Sequence, residues 1–352
     1  MMTSRRTWLT GLTAAASMTI SRTSSASTKD PIRVGQIGVG HGHASKLSVY
    51  RQSSDYEVVG IVEADPALRA KAEKAPAFQG VPWMSEEQLL QTPGLQAVLV
   101  ETSPAECLDV AELCIDAGLH VHLDKPAGES IEQYERILKQ AATKRLMVQM
   151  GYMFRYNPGF LLLEDLLREE VLGEIFEVHG VMSKVVDPEN RTRHARFPGG
   201  MMFELGCHLV DLVVRILGAP TQVSSFSQTS SRAQDKLADN MLSVLTYPHT
   251  IATIKSSALE VEGFARRHLV VCGSRGTFHM QPLDQPTVNL TLTHAVGEYR
   301  VGENKRSFPP FERYVADAMQ MAHVIRGESE VDYDASHDRL VQRTLLQACG
   351  LR

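Results

Sequence analysis

Between residues 32 and 150 the chain alternates short, almost wholly apolar runs with longer stretches of helical spacing. The runs are Ile32–Val39, the YEVVGIVEADP segment ending at Glu63, LQAVLVETSP, LHVHLDKP and the start of RLMVQMGYMFRYNP. They are short and rich in Val, Ile and Leu, as strands buried on both faces are. Helices are expected over Ala44–Gln52, from Pro66, over Ser85–Gln91, over Glu106–Ala117 with a stop at Gly118, and over Ile131–Thr143. Strand and helix in regular alternation predict a parallel, doubly wound α/β sheet.

After Pro158 the pattern changes. One helix is expected over Gly159–Val171, and the strand GEIFEVHGVMSKVV follows. The basic stretch DPENRTRHARFPGG reads as irregular, and the next helix as Met201–Leu217, ended by Gly218. Five further runs then carry strand spacing, with turns at Tyr247–Thr250 and Gly273–Gly276. Helices over Phe311–Arg326 and Ala335–Cys349 close the chain. This half predicts an α+β domain with a large open, mostly antiparallel sheet, one face covered by helices. The domains are expected at residues 31–150 and 151–352.

The first apolar run leads into Gly38, Val39, Gly40, His41, Gly42 and His43. Gly38 allows a tight turn, and Gly40 has no Cβ to keep a pyrophosphate from the backbone. His43 stands where the third glycine of G-x-G-x-x-G belongs, and Gly42 comes one residue early. Glu63 ends the second strand 25 residues after Gly38 (63 − 38) and can accept both ribose hydroxyls of an adenosine. Together they point to NAD, with NADP disfavoured by the acid. Asp65, before Pro66, reads instead as a helix N-cap. Ligands bind beyond the carboxyl ends of such strands, a rim that also carries Thr102, Pro104, Asp124 and Lys125.

A net charge of −5 without a long basic run argues against a nucleic-acid partner, and no stretch is apolar for the ~18 residues of a membrane span. The five dispersed cysteines, with no C-x-x-C pair, give neither a disulfide framework nor a zinc site, and no metal is expected. Residues 1–28 read as an export signal: Ser4-Arg5-Arg6-Thr7-Trp8-Leu9 matches the twin-arginine pattern S-R-R-x-F-L with Trp for Phe, and a cleavage after Ala26 is expected. That implies a periplasmic or other extracytoplasmic location.

The chain resembles the glucose–fructose oxidoreductase and inositol dehydrogenase family (Gfo/Idh/MocA). LHVHLDKPAG is similar to its G-K-H-V-x-x-E-K-P, with Asp124 for Glu. GGMMFELGCHLVDLVVRILGAP is similar to its G-G-x-x-x-D-x-G-x-H-x-x-D helix, with Glu204 for Asp, and MGYMFRYNPGF and VVCGSRGTF resemble two further segments. The resemblance implies a Rossmann domain followed by a domain whose open sheet mediates homo-oligomers. It also implies hydride transfer at a carbinol carbon of a sugar or polyol, with Lys125 and His208 catalytic. Lys125 would favour developing alkoxide charge, and His208 would serve as acid/base. Glu204, His208 and Asp211 are spaced to share one helix face, so Glu204 would assist His208 or bind a neighbouring hydroxyl, with Asp211 structural. Tyr152, Arg155 and Tyr156 should line the cleft. Arg191, Arg193, His194 and Arg196 would clamp a carboxylate or stay solvated, and His179 belongs to a pocket or the core.

Three functions remain: a nicotinamide oxidoreductase, a redox-neutral glycosidase or lyase using bound NAD, and a non-catalytic sugar-binding protein. Lys125 and His208 speak against the last. Export without a pool of exchangeable NAD implies a cofactor retained through turnover.

Overall fold

The computed structural model describes residues 30–351, so the expected twin-arginine segment and cleavage site lie outside the described residues. Six strands form the first sheet: β1 (Ile32–Ile37), β2 (Tyr56–Val62), β3 (Trp83–Met84), β4 (Leu95–Val100), β5 (His120–Leu123) and β6 (Val148–Met150). Their order is β3-β2-β1-β4-β5-β6, and every pairing is parallel. Val98, Leu99 and Val100 are fully buried, as expected for a central strand with helices on both faces. The chain order reverses beside β1, between β1 and β4, and the glycine turn lies at that crevice. β3 was not expected, because two residues are too few to show a period.

The second sheet has eight strands: β7 (Ile175–Val181), β8 (Gln222–Gln228), β9 (Asn240–Thr246), β10 (Ile251–Ser257), β11 (His268–Gly273), β12 (Gly276–Met280), β13 (Thr287–Leu292) and β14 (Gly302–Ser307). The order is β14-β13-β12-β11-β7-β10-β9-β8, antiparallel except where β7 meets β10. β14, GENKRS, escaped the sequence reading because it is a polar edge strand. Helix Cys207–Leu217 packs on one face through Leu209, and a Cβ at Gly180 would meet that side chain at 3.0 Å. The opposite face carries His179, Val244, Thr253 and Val270 half-buried, with Phe226 57 % and Ile251 54 % exposed.

Two expectations need correction. The basic stretch is not irregular: Pro188–His194 is a helix, with Asp187 accepting from the Asn190 N–H and Pro188 in the first turn. Both signals were present in D-P-E-N. The expected helix Met201–Leu217 is not one α-helix either. Met202–Gly206 forms a π-helical turn, and α-helix begins at Cys207.

The last-but-one helix, Val315–Ile325, packs on the first sheet's side of the molecule rather than with the second domain. Ala318, Met321 and Ala322 share one apolar cluster with Ile32, Leu47 and Tyr50, and the Tyr56 hydroxyl donates to the Ala318 carbonyl at 2.6 Å.

Candidate active site at the carboxyl rim of the parallel sheet

The glycine turn is built by backbone constraint. Gly38 has φ +91°, and a Cβ there would lie 2.6 Å from the backbone of Glu101 and Thr102. No side chain can occupy that place. A Cβ at Gly42 would meet nothing within 4 Å, so the turn stays open at that point. Glu63 braces the turn: its carboxylate accepts from the Val39 N–H and the Asp65 N–H, both at 2.9 Å. Asp65 caps the following helix by accepting from Ala67 and Leu68. The Thr102 hydroxyl is buried with no hydrogen-bond partner among the described residues. A turn bare of Cβ atoms at Gly38, Gly40 and Gly42, an acid at the second strand's end and an orphaned hydroxyl on the rim fit a dinucleotide. Glu63, Thr102 and the turn Gly38–His43 are the residues that would hold it. Pro104 is buried on the same rim.

Beside the turn lies a buried polar cluster. Asp124, directly after β5, touches His41, takes His43 Nδ1 at 3.3 Å and accepts the Lys125 N–H at 2.8 Å. Lys46 is fully buried, with its ammonium 3.0 Å from Glu101, 3.4 Å from Asp124 and 2.9 Å from His122 Nε2. Burial and the neighbouring Asp124 raise the Glu101 carboxyl well above its usual range. Burial acts upward on Asp124 too, but His41, Lys46 and His43 override it and hold Asp124 down. Sequence reasoning missed Lys46, Glu101 and His122. Glu101 carried the clearest signal, an acid ending the apolar run LQAVLV at the rim.

Across the cleft, Lys125 and Glu204 meet. The Lys125 ammonium donates to the Glu204 carbonyl at 2.7 Å and lies 3.6 Å from its carboxylate. Burial alone would push the Glu204 carboxyl up. Lys125, then His194, His41 and Lys184, reverse this and hold it at about 2. His208 is 2 % exposed, its ring centroid 5.6 Å from Phe154, 5.9 Å from Tyr152 and 6.0 Å from His43. Burial, Lys125 and His43 keep it neutral, well below the ordinary imidazole range. Its Nδ1 has no partner among the described residues.

The expected single face of Glu204, His208 and Asp211 is therefore corrected. The π-helical turn offsets Glu204, whose carboxylate goes to Lys125, and no hydrogen bond links it to His208. Asp211 accepts from Arg155 at 2.7 Å and lies 3.1 Å from His337 Nε2. Arg155 is a second correction: it is buried between Asp211 and Asp338, so its guanidinium is not available to a substrate. Tyr156 donates to Asp332 at 3.0 Å. Arg191 is likewise buried, on Asp235, Asp239 and Ser231. Arg193 reaches the turn and donates to the Gly40 carbonyl at 3.3 Å. Arg196 is exposed, with no side-chain partner among the described residues. His194 is buried near Glu204, and burial lowers it to about 4. His179 Nδ1 meets the Thr253 hydroxyl at 2.6 Å on the open face of the second sheet, away from this cleft.

A cavity of about 450 Å³ opens against Lys46 and Tyr314, bounded by Ser45, Asp284 and Arg313. That is within the size range of small-molecule sites. Tyr314 holds φ +70° while its ring sits 5.7 Å from that of His43.

Comparison with known proteins agrees with this geometry. The oxidoreductase-family model described as an NAD-binding Rossmann fold matches residues 32–152, and the GFO/IDH/MocA C-terminal domain model matches residues 160–279. The chain is 25 % identical over 330 residues to the uncharacterized oxidoreductase YdgJ of Escherichia coli (strain K12), covering 87 % of this chain and 92 % of that one. It is 26 % identical over 142 residues to scyllo-inositol 2-dehydrogenase (NADP(+)) IolW of Bacillus subtilis (strain 168), covering 40 % and 39 % of the two chains. The UDP-N-acetylglucosamine 3-dehydrogenase GnnA of Acidithiobacillus ferrooxidans shares the fold, with a TM-score of 0.74 at 20 % identity over 91 % of this chain and 97 % of that one. The Bacillus subtilis protein YvaA does so too, with a TM-score of 0.74 at 18 % identity over 91 % and 95 %. The chain belongs to the GFO/IDH/MocA family of oxidoreductases, with an NAD-binding Rossmann domain at its amino-terminal end.

Proposed function

We propose that the protein oxidises or reduces a secondary hydroxyl or keto group of a sugar or polyol, with NAD as the hydride carrier. The observation that carries this reading is the pairing of a neutral, buried imidazole at His208 with a buried ammonium at Lys125 in one cleft beside the glycine turn. Oxidation of a carbinol needs a base for the hydroxyl proton and a cation for the charge that develops on oxygen. A neutral His208 takes the proton. The Lys125 ammonium, fixed from behind by the Glu204 carbonyl, faces the oxygen. Glu204, ionised, accepts from a neighbouring substrate hydroxyl. The bound nicotinamide supplies hydride acceptance, which no side chain can.

Preference for NAD over NADP rests on Glu63, which would repel a 2′-phosphate, while Ala64 and Asp65 offer no cation to hold one. The twin-arginine pattern supports export of a folded, loaded protein and a cofactor re-oxidised in place. The half-exposed face of the second sheet, with Phe226 and Ile251 open, supports a homo-oligomer.

The test is turnover on a panel that includes scyllo-inositol, glucose, N-acetylglucosamine and UDP-N-acetylglucosamine, with wild type and His208→Ala compared. The reading expects turnover on a sugar or polyol and a loss of about 10²-fold or more in the variant. A His208→Ala enzyme near the wild-type rate would make His208 structural.

A further inference from the structure

The short helix Pro188–His194 belongs to the second domain, yet it touches the glycine turn of the first. Arg191 ties it down. That guanidinium donates to both Asp235 oxygens at 2.9 Å, to Asp239 at 3.0 Å and to the Ser231 hydroxyl at 2.8 Å. Arg193 stands two positions on, about 200° round the helix, so it leaves from the other side. Its Nη1 donates to the Gly40 carbonyl at 3.3 Å. Arg193 is exposed, and this bond uses one of five guanidinium donors. The other four have no hydrogen-bond partner among the described residues.

Gly40 is the glycine at which the backbone lets a diphosphate approach. The first domain surrounds that point with carboxylates rather than cations. Glu63 accepts from the Val39 N–H, and Asp124 contacts His41 and His43. Lys46 is committed to Glu101 and Asp124, and Lys125 to Glu204. A diphosphate brings further negative charge to this place. Arg193 is a cation already at the turn with donors to spare, and a guanidinium fork matches phosphate oxygens.

We propose that Arg193 is a clamp from the second domain on the diphosphate of the bound dinucleotide, an inference that rests on the reading of the turn as a dinucleotide site. One N–H keeps the Gly40 carbonyl, and the remaining donors serve phosphate oxygens. Arg191 fixes the helix in advance, so little ordering is left to be done when the nucleotide enters. The clamp closes over the turn from outside the first domain. It therefore acts chiefly on the rate at which nucleotide leaves, which is what a cofactor retained through turnover requires. Local sequence showed Arg193 in a basic stretch, but not which acceptor it would meet.

The experiment compares the full-length wild type with Arg193→Ala and Arg193→Lys, each freed of nucleotide, and needs no sugar. NADH binding and release are followed by its fluorescence, and ADP-ribose and adenosine are measured by competition against it. Arg193→Ala should bind NADH and ADP-ribose at least about tenfold more weakly, mainly through faster release. Adenosine, which has no phosphate, should change by less than about twofold. Arg193→Lys keeps the charge without the fork, so its loss should be intermediate. Melting temperatures of the nucleotide-free proteins should agree, because Arg193 is exposed. Wild type that binds NADH no better than Arg193→Ala would overturn the clamp and leave the dinucleotide site standing. Equal losses for adenosine and ADP-ribose would overturn it too, since Arg193 would then be holding the turn rather than the diphosphate. Wild type that binds neither NADH nor ADP-ribose would overturn the dinucleotide reading and the clamp together.

Discussion

The Lys125 ammonium donates to the backbone carbonyl of Glu204 at 2.7 Å and lies 3.6 Å from the carboxylate of the same residue. One residue thus holds the Lys125 ammonium twice, once by its main chain and once by its charge. The main-chain contact is made in the π-helical turn Met202–Gly206, the kind of widened helix found at functional sites.

This pairing predicts a stability signature. Lys125→Met leaves the Glu204 carboxylate without its buried partner, and such a loss costs about 3–5 kcal/mol. The double variant Lys125→Met/Glu204→Gln should recover a large part of that. Urea unfolding of the two proteins checks it, and additive losses would mean that the pair is not coupled.

Buried neutral imidazoles set the acid side of the stability curve. Burial, the main cause in each case, lowers His43 and His194 to about 4, His122 to about 3, and His208 well below its ordinary value. In the unfolded chain each binds a proton below about pH 6.5. The unfolded state then holds more protons, so stability falls as pH falls. Between pH 6.5 and 4 each group contributes up to about 1.4 kcal/mol of loss per pH unit. Glu204, lowered to about 2, adds its share only below about pH 4.5. Melting temperatures at pH 7.5, 6 and 5 should drop steadily, with the His208→Phe protein dropping less.

Catalytic pH dependence should differ from that of an ordinary histidine base. Because His208 stays neutral well below pH 6.5, kcat should hold nearly level from pH 8 to 6 rather than halve near 6.5. A kcat profile with an acid limb centred at 6.5 would assign the base to a more solvated group.

At the adenosine end, Glu63→Ala should raise NADP affinity relative to NAD by about tenfold, or ~1.4 kcal/mol. The same substitution removes the acceptor for the Val39 and Asp65 N–H groups, so NAD affinity should fall as well. Calorimetric titration with both nucleotides reads the two effects separately, and an unchanged ratio would relieve Glu63 of its discriminating role.

The parallel sheet was legible because its strands are buried on both faces and its helices carry apolar spacing, two periods that local sequence displays directly. The rim residues Glu63, Lys125 and the glycine turn followed from strand ends alone. What stayed hidden depended on tertiary pairing. Arg155 read as lining the cleft, and Arg191 as a carboxylate clamp or a solvated cation, because nothing local shows that Asp338 and Asp235 lie across from them. Lys46 and Glu101 come from two elements that only the folded sheet brings to one point. The π-helical turn has no distinct local pattern, and one added residue in a turn was enough to part Glu204 from His208.

Nucleotide retained by the protein bears most directly on the whole account. Full-length protein, purified without added cofactor, is denatured in acid or alkali, and the released nicotinamide nucleotide is identified and counted against chain. The account predicts NAD, not NADP, at close to one per chain, and the same amount after turnover. A protein that purifies empty and, on titration, binds neither nucleotide or prefers NADP would contradict it.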